Sequence, residues 1–422
     1  MDLRIVGLDR FTIDLPFREV PGRNLVKELP DFSFFEIFRV TLHGGTVGTG
    51  EAMHFYYPTG ETSDEVVKRV WNKNAYEVMW DDSIGFGLQM ALFDAVGKSL
   101  GVPVHALFGK KVRDRAGLSW WALDMPPEDW ASECQTAVQL GYRDFKTKGR
   151  PWFDIYAQLD AVHRVVPEGF RIDLDFNSNL LDADHAVPML NLLETRYGNL
   201  AIFETPIPPG DIEGAKRIQQ AAKLPIAHHY HGSPVTAQLR EDLCDGYLLG
   251  GGVNEILHQG QVCQAFDKPF WLQMVGSGLT AVFSMHLAAV LTHANWPAVN
   301  CHQLYERDML ATPIEVSDGT ALIPDAPGLG VAIDEDALEQ LRLPGPYTGY
   351  DPDRLVEVIW PNGAKFYYST GNQLYLDGQA GNMPVFIEGV TTRLVPNDGS
   401  ARWKDLHRQA TEAPVRQGQA GS

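Results

Sequence analysis

The sequence predicts an α/β barrel, preceded by an α+β domain and followed by a small β-rich appendage. Two observations predict the barrel. Short apolar runs repeatedly end in polar residues: Tyr142-Arg-Asp-Phe-Lys-Thr-Lys148, Phe170-Arg-Ile-Asp-Leu-Asp-Phe-Asn177, Leu200-Ala-Ile-Phe-Glu-Thr-Pro206 and Pro225-Ile-Ala-His-His229. Lys146, Asp175, Glu204 and His229 then fall 29, 29 and 25 residues apart. A strand of about 5 residues, a helix of about 10–15 and two loops fill such a step, and barrels carry their functional side chains at the C-terminal ends of strands. Length agrees. At 422 residues the chain is too long for one small core, and two or three domains are expected, one of them a barrel of about 250 residues.

Taken in order, residues 1–60 read as a three-stranded antiparallel meander. Leu3–Leu15 alternates, Phe34–His43 is a second β-rich run, and Gly44-Gly45 turns the chain into Thr46–Ala52. Pro16–Asp31 reads as a long polar loop and residues 52–64 as a second; loops of that length are functional or disordered. Ile84–Leu100 has apolar residues at helical spacing. The barrel starts near Gly117-Leu-Ser-Trp-Trp121. Helices fit Pro127–Leu140, Trp152–Val166, Asp182–Tyr197, Asp211–Ala222, Pro234–Glu241, Asn254–Phe266 and Ser277–Ala294, and further strands fit Gly246–Leu249, Phe270–Met274 and Val299–Gln303. Beyond Pro344, Leu355–Tyr368 is a hairpin around Asn362-Gly363, Asn372–Leu376 and Met383–Leu394 read as strands, and Gln409–Ser422 as a disordered tail. The expected domains are 1–112, 113–344 and 345–422.

The charge of −19 argues against nucleic acid or an anionic membrane surface as partner. A small anionic substrate would then need a local positive site. The four cysteines form no C-x-x-C pair and suit free buried thiols in a reducing, cytoplasmic compartment. The N-terminus, Met-Asp-Leu-Arg-Ile-Val, reads as neither a signal peptide nor a membrane span.

Side chains two apart on a strand share a face, so Lys146 and Lys148 point the same way. Mutual repulsion and partial burial would lower a lysine pKa toward that of a general base. An isolated K-x-K is otherwise a pair of solvated surface lysines; the carboxylates spaced behind this one make the difference. Asp173, Asp175 and Asn177 share one face of the next strand, and Glu204 ends the one after. Adjacent strand residues face opposite ways, so only one of His228 and His229 can enter the barrel.

In order and spacing these segments resemble the enolase superfamily, in its mandelate racemase and muconate lactonizing branch. Gly48-Thr-Gly-Glu51 is similar to the family's G-x-G-E. Ala91-Leu-Phe-Asp94, Gly97 and Leu100–Gly109 are similar to its helix leading into the barrel, and the K-x-K, Asp-x-Asn, Phe-Glu-x-Pro and Leu-Pro-Ile-Ala segments follow in family order over about residues 1–345. The resemblance implies a capping domain on a (β/α)7β modified TIM barrel, with Val20–Leu29 and Met53–Tyr57 folding over its mouth. It implies abstraction of a proton next to a carboxylate, with Lys148 as base, Lys146 as its partner, and a divalent metal on Asp175 and Glu204. Mg²⁺ is the family's usual ion. The third ligand, normally Asp or Glu, aligns with His229, which suits Mn²⁺ or Zn²⁺ better. Asn177, His228, Tyr56 and Tyr305 are the substrate-contact candidates, and Asp173 supports them from one step deeper.

Two family positions look empty. The sixth strand ends Leu248-Leu-Gly-Gly-Gly252, without Asp or Lys, and the seventh Trp271-Leu-Gln-Met-Val-Gly276, without His. Bases therefore lie on one face only. This favours a lyase that dehydrates a small hydroxy acid, such as a sugar acid or hydroxylated amino acid, over a racemase or epimerase. The alternative is a barrel that binds a ligand or metal without turnover. A symmetric homo-oligomer is the family's common assembly.

Overall fold

Glycine decides how the first domain packs. The computed structural model describes residues 2–56, 62–231 and 234–419. Strands β1 (Ile5–Asp14), β2 (Phe34–Leu42) and β3 (Val47–Met53) form the antiparallel meander, in the order β1-β2-β3. A Cβ on Gly48 or Gly50 would run into the backbone carbonyls of Ala91 and Gly87, so β3 lies directly on the helix Phe86–Leu100. Asp94 of that helix accepts from the amides of Thr49 and Leu329 at 2.9 and 2.8 Å. The 16–31 segment, read as a loop, contains a helix, Glu19–Leu25, which buries Pro21, Asn24 and Leu25. Arg18 to Glu133 (2.6 Å) and Asn24 to Asp129 (2.7 Å) fasten it to the first barrel helix. Tyr57, the last residue of the other expected lid, lies outside the described residues.

The barrel strands are β4 (Arg115–Trp121), β5 (Asp144–Lys148), β6 (Arg171–Asp175), β7 (Leu200–Glu204), β8 (Ile226–His229), β9 (Gly246–Leu249), β10 (Phe270–Leu272) and β11 (Ala298–Val299). β4 to β10 pair in sequence order and in parallel. β11 closes the ring by pairing with β4 and through a bridge from Val299 to Gln273. Seven helices alternate with them among the described residues, Pro127–Gln139 first and Gly278–Ala288 last. Asp154, Asp182, Asp211 and Ser277 each cap a barrel helix by accepting from a first-turn amide, which switches chain from loop to helix where the polar residues gather. The last strand is shorter than expected. Cys301 takes φ 62°, outside the strand region, and His302–Leu304 forms a single 3-10 turn.

Glu51 joins the two domains. Its buried carboxylate accepts from the Ser277 amide (2.8 Å) and hydroxyl (2.6 Å) and from the Thr280 amide (3.0 Å) and hydroxyl (2.6 Å), at the N-terminus of the last barrel helix. After the barrel, β12 (Val316–Ser317) and β13 (Thr320–Leu322) fold back onto β4, and the helix Glu335–Leu341 returns the chain to β1 through an Ile13–Arg342 bridge.

The C-terminal part differs most from expectation. Its sheet has the order β16-β14-β15-β17, with β14 Val356–Ile359, β15 Lys365–Tyr368, β16 Thr391–Leu394 and β17 Val415–Gln417. The Asn-Gly hairpin is there, with Gly363 at φ 86°. Asn372–Leu376, expected as strand, belongs to the helix Gly371–Gln379: Thr370 caps it from the Gln373 amide, and Leu374, Asp377 and Gly378 form its buried stripe. Gln409–Ser422, expected to be disordered, contains the end of the helix Ala401–Glu412, whose Trp403 and Ala410 are buried, and then β17 paired on β15. Residues 420–422 lie outside the described residues. This module has its own core around Val356, Val358, Trp360 and Tyr368, and it takes in Trp152 and Phe153 from the barrel. All four cysteines are free and buried. Among the described residues, no helix is long and apolar enough to cross a membrane.

Candidate active site

Strand register builds the site. Lys148 lies opposite Asp175, and Asp175 opposite Glu204, so three consecutive strands deliver their ionisable ends at one level. Lys146 is one step deeper, opposite Asp173. Lys146 is fully buried. Its ammonium pairs with Glu204, lies 3.9 Å from Asp175 and stands 5.1 Å from the centroid of the Trp271 ring. Lys148 pairs with Asp175 and donates to Asn177 Oδ1 at 3.1 Å. His229 Nε2 is 3.0 Å from Glu204 Oε1.

The electrostatics correct one expectation. Lys146 is not lowered toward a general base, and each lysine has its own carboxylate. For Lys146, burial works against the charge, but Glu204 and then Asp175 outweigh it and hold the ammonium above its ordinary value. Burial likewise opposes ionisation of Asp175, yet Lys148 and Lys146 keep it well below the usual carboxylate range. Asp173 makes no ion pair among the described residues: burial, then Asp144, pushes it up to about 8 against the pull of Lys146 and Arg171, and its Oδ1 has no hydrogen-bond partner among those residues.

One ligand atom each from Asp175, Glu204 and His229 lies within 4.8 Å of the others. Neither Glu204 oxygen receives a hydrogen bond among the described residues; both are held only by ion pairs with Lys146 and His229. Two hard oxygens and an imidazole at this separation fit a divalent cation, and the nitrogen shifts preference toward Mn²⁺ or Zn²⁺.

Above these groups opens a cavity of about 640 Å³. Lys148, His229 and Asn177 form its polar floor, and Phe32, Phe55, Tyr56 and Trp121 an aromatic wall. Tyr56 is therefore where it was expected. Two substrate-contact candidates are not. His229 turns inward, so His228 faces the opposite side of the strand; it is 2% exposed, absent from the cavity lining, and neutral, because burial and then His229 lower its pKa to about 4. The Tyr305 hydroxyl donates to the Phe32 carbonyl at 2.8 Å and its ring packs on Phe17 and Phe35, so it anchors the capping domain.

Four polar lining residues were not anticipated. Arg150 continues the 146, 148 alternation past the strand end, and that spacing was a readable signal. Gln273 occupies the seventh-strand end where a family base would stand. Asn372 and Tyr375 come from the C-terminal helix, and nothing in the sequence marks them.

Fold and site together define the class: a capped (β/α)7β barrel with an Asp–Glu–His cluster and two lysines at the C-terminal strand ends. A family model described as "Enolase C-terminal domain-like" matches residues 129–337. The arabinonate dehydratase of Saccharolobus solfataricus is 24% identical over 66% of this chain and 79% of its own length. The o-succinylbenzoate synthase of Geobacillus stearothermophilus is 27% identical over 70% and 85%. A solved enolase from Thermobispora bispora, complexed with magnesium and formate, superposes with a TM-score of 0.66 at 20% identity, covering 80% of this chain and 92% of that one. The chain belongs to the enolase superfamily, as a divergent member of its mandelate racemase and muconate lactonizing branch.

Proposed function

We propose that the protein is a metal-dependent lyase that removes the α-proton of a small hydroxy acid and eliminates water from it. The observation that carries this reading is the position of Lys148 in the cavity floor, beside the ligand-spaced Asp175, Glu204 and His229. A divalent cation on those three groups would neutralise the charge that builds on the substrate carboxylate as the proton leaves; a lysine or histidine base beside such a cation is the general pattern of enolase-type sites. Lys148 takes the α-proton. Lys146 cannot act as a second base, because it is sealed below the floor and holds its own proton; it serves as a fixed positive charge against the developing enediolate. In a 2,3-dihydroxy acid the pair of electrons from the C–H bond forms the C=C bond, the β-hydroxyl departs as water with the proton carried by Lys148, and the resulting enol, which keeps the α-hydroxyl, becomes a 2-oxo acid. One amine on one face suffices for this sequence. A racemase needs a second base opposite, and the β9 and β10 ends offer Gly250–Gly252 and Gln273 there.

The test is a screen of hydroxy acids with Mg²⁺ or Mn²⁺ for 2-oxo acid formation. Turnover by the wild type and a loss of about 10²–10⁴-fold in Lys148→Ala are expected. Inversion at the α-carbon without loss of water would overturn dehydration in favour of a racemase.

One observation favours a second reading, binding without turnover: lysine ammonium groups already neutralise both carboxylates. Titration calorimetry of chelator-stripped protein tests the metal site that the lyase requires. Metal binding that is lost in Asp175→Ala, with His229→Ala removing a preference for Mn²⁺ or Zn²⁺ over Mg²⁺, fits both readings, and no binding of any metal overturns the lyase. Turnover of any acid excludes the non-catalytic reading.

A further inference from the structure

The C-terminal module reaches into the site, and it does so beside an arginine with spare hydrogen-bonding capacity. Arg150 is 3% exposed and lines the cavity. Its Nη2 donates to Asn177 Oδ1 at 2.9 Å, the same oxygen that receives Lys148. Its Nε and Nη1 have no hydrogen-bond partner among the described residues. Buried guanidinium N–H groups are costly to leave unmade; Nε is turned toward Asp124, which leaves Nη1, on an arginine that lines the cavity, as the group a ligand oxygen would satisfy.

Charge points the same way. Asp124 is the carboxylate nearest Arg150, 3.9 Å from its Nε, but Asp124 also lies 3.6 Å from Lys27. One carboxylate faces two cations. Glu28 also lines the cavity, but burial and then Asp124 push its carboxyl up to about 8, so at neutral pH it stands mainly as the neutral acid. A positive charge is left over at this end of the cavity.

The C-terminal module shapes that end. The Arg150 guanidinium stands over the rings of Trp152 and Tyr375, 5.4 Å from each centroid. Gln379, one turn beyond Tyr375, donates to the Asn177 carbonyl at 2.7 Å and to the Tyr375 hydroxyl at 2.8 Å, which locks the helix to the loop that follows Asp175. The helix that carries Tyr375 lies beyond residue 337, where the family model stops.

We propose that Arg150, held by Tyr375 of the C-terminal module, binds a second carboxylate, so that the substrate is a short-chain dicarboxylate with one carboxylate at the Asp175–Glu204–His229 end and the other on Arg150. This rests on the lyase reading of the same site and narrows its substrate class to hydroxy diacids. Because Arg150 and Lys148 share one acceptor atom, the two ends of the ligand are only a few carbons apart.

The test is calorimetric and needs no turnover. Full-length protein loaded with Mn²⁺ is titrated with succinate, with butyrate, its monoacid counterpart of equal length, and with 3-phosphonopropanoate. Succinate is expected to bind roughly 10–100-fold more tightly than butyrate, the range for a charge-assisted pair. Arg150→Gln should abolish that preference and leave butyrate unchanged, and Tyr375→Leu should weaken succinate alone by several fold. Equal affinity of wild type for succinate and butyrate overturns the assignment of Arg150 while leaving the lyase reading standing, and this arm needs no variant to fold. Tighter binding of 3-phosphonopropanoate than of succinate overturns the carboxylate as the second group. Absence of binding by either acid removes the carboxylate site itself and both readings with it.

Discussion

Lys146 and Lys148 are two residues apart on one strand, yet their surroundings assign them different work. Lys146 is enclosed with Glu204, and removing one member of a buried ion pair leaves the other uncompensated, at a cost of about 3–5 kcal/mol. Chelator-treated Lys146→Ala should therefore unfold at markedly lower denaturant than wild type, whereas Lys148→Ala, cut at a partly open position, should keep most of its stability. Equal losses in the two variants would contradict the division of roles. The alternation of strand side chains made the pair legible in the sequence, as it did Asp175 and Glu204. It did not show that each ammonium would face a carboxylate, because that depends on the register between strands. Nor did it choose between His228 and His229; alternation says that one turns in, and the twist of the barrel decides which.

At the scale of elements, the junctions were the legible parts. Gly48 and Gly50 allow β3 to touch the helix Phe86–Leu100. Gly50→Ala would push a methyl group into the Gly87 carbonyl and is expected to cost about 1–3 kcal/mol, measured as a lower urea midpoint with an unchanged slope. The last barrel helix carries a pH prediction. His286 is buried, with Nε2 3.0 Å from the Leu329 carbonyl and Nδ1 receiving the His105 amide at 3.3 Å, a pattern that only the neutral ring satisfies. Burial lowers its pKa to about 4 from the ordinary 6.5. Between those values the unfolded chain binds the proton and the folded protein does not. The contribution of His286 is thus fully present above about pH 6.5 and is lost as the pH falls toward 4, by about 3 kcal/mol in all. His286→Gln, which can still donate and accept, should lose correspondingly less stability across that window in denaturant titrations. Elements whose type depends on tertiary burial were not legible: Gly371–Gln379 lacks strong helical periodicity and is fixed by its Thr370 cap and by the sheet it covers, whereas Ala401–Glu412, capped by Ser400, carries an amphipathic pattern that could have been read.

Considered whole, the molecule is a capped family barrel with a C-terminal module that closes one side of the mouth. The 29-residue spacing and the order of motifs disclosed the barrel, because a βα unit has a characteristic length. The module's share in the site could not be read, because Tyr375 and Asn372 reach the cavity only through the fold of the whole C-terminal segment. The measurement closest to the chemistry is exchange of the α-proton. The metal-loaded protein is incubated in D2O with a panel of 2-hydroxy acids, and the Cα–H signal is followed by proton NMR. Abstraction by Lys148 predicts loss of that signal with at least one acid in the wild type, at a rate about 10²–10⁴-fold lower in Lys148→Ala. Exchange that proceeds undiminished in Lys148→Ala would contradict it.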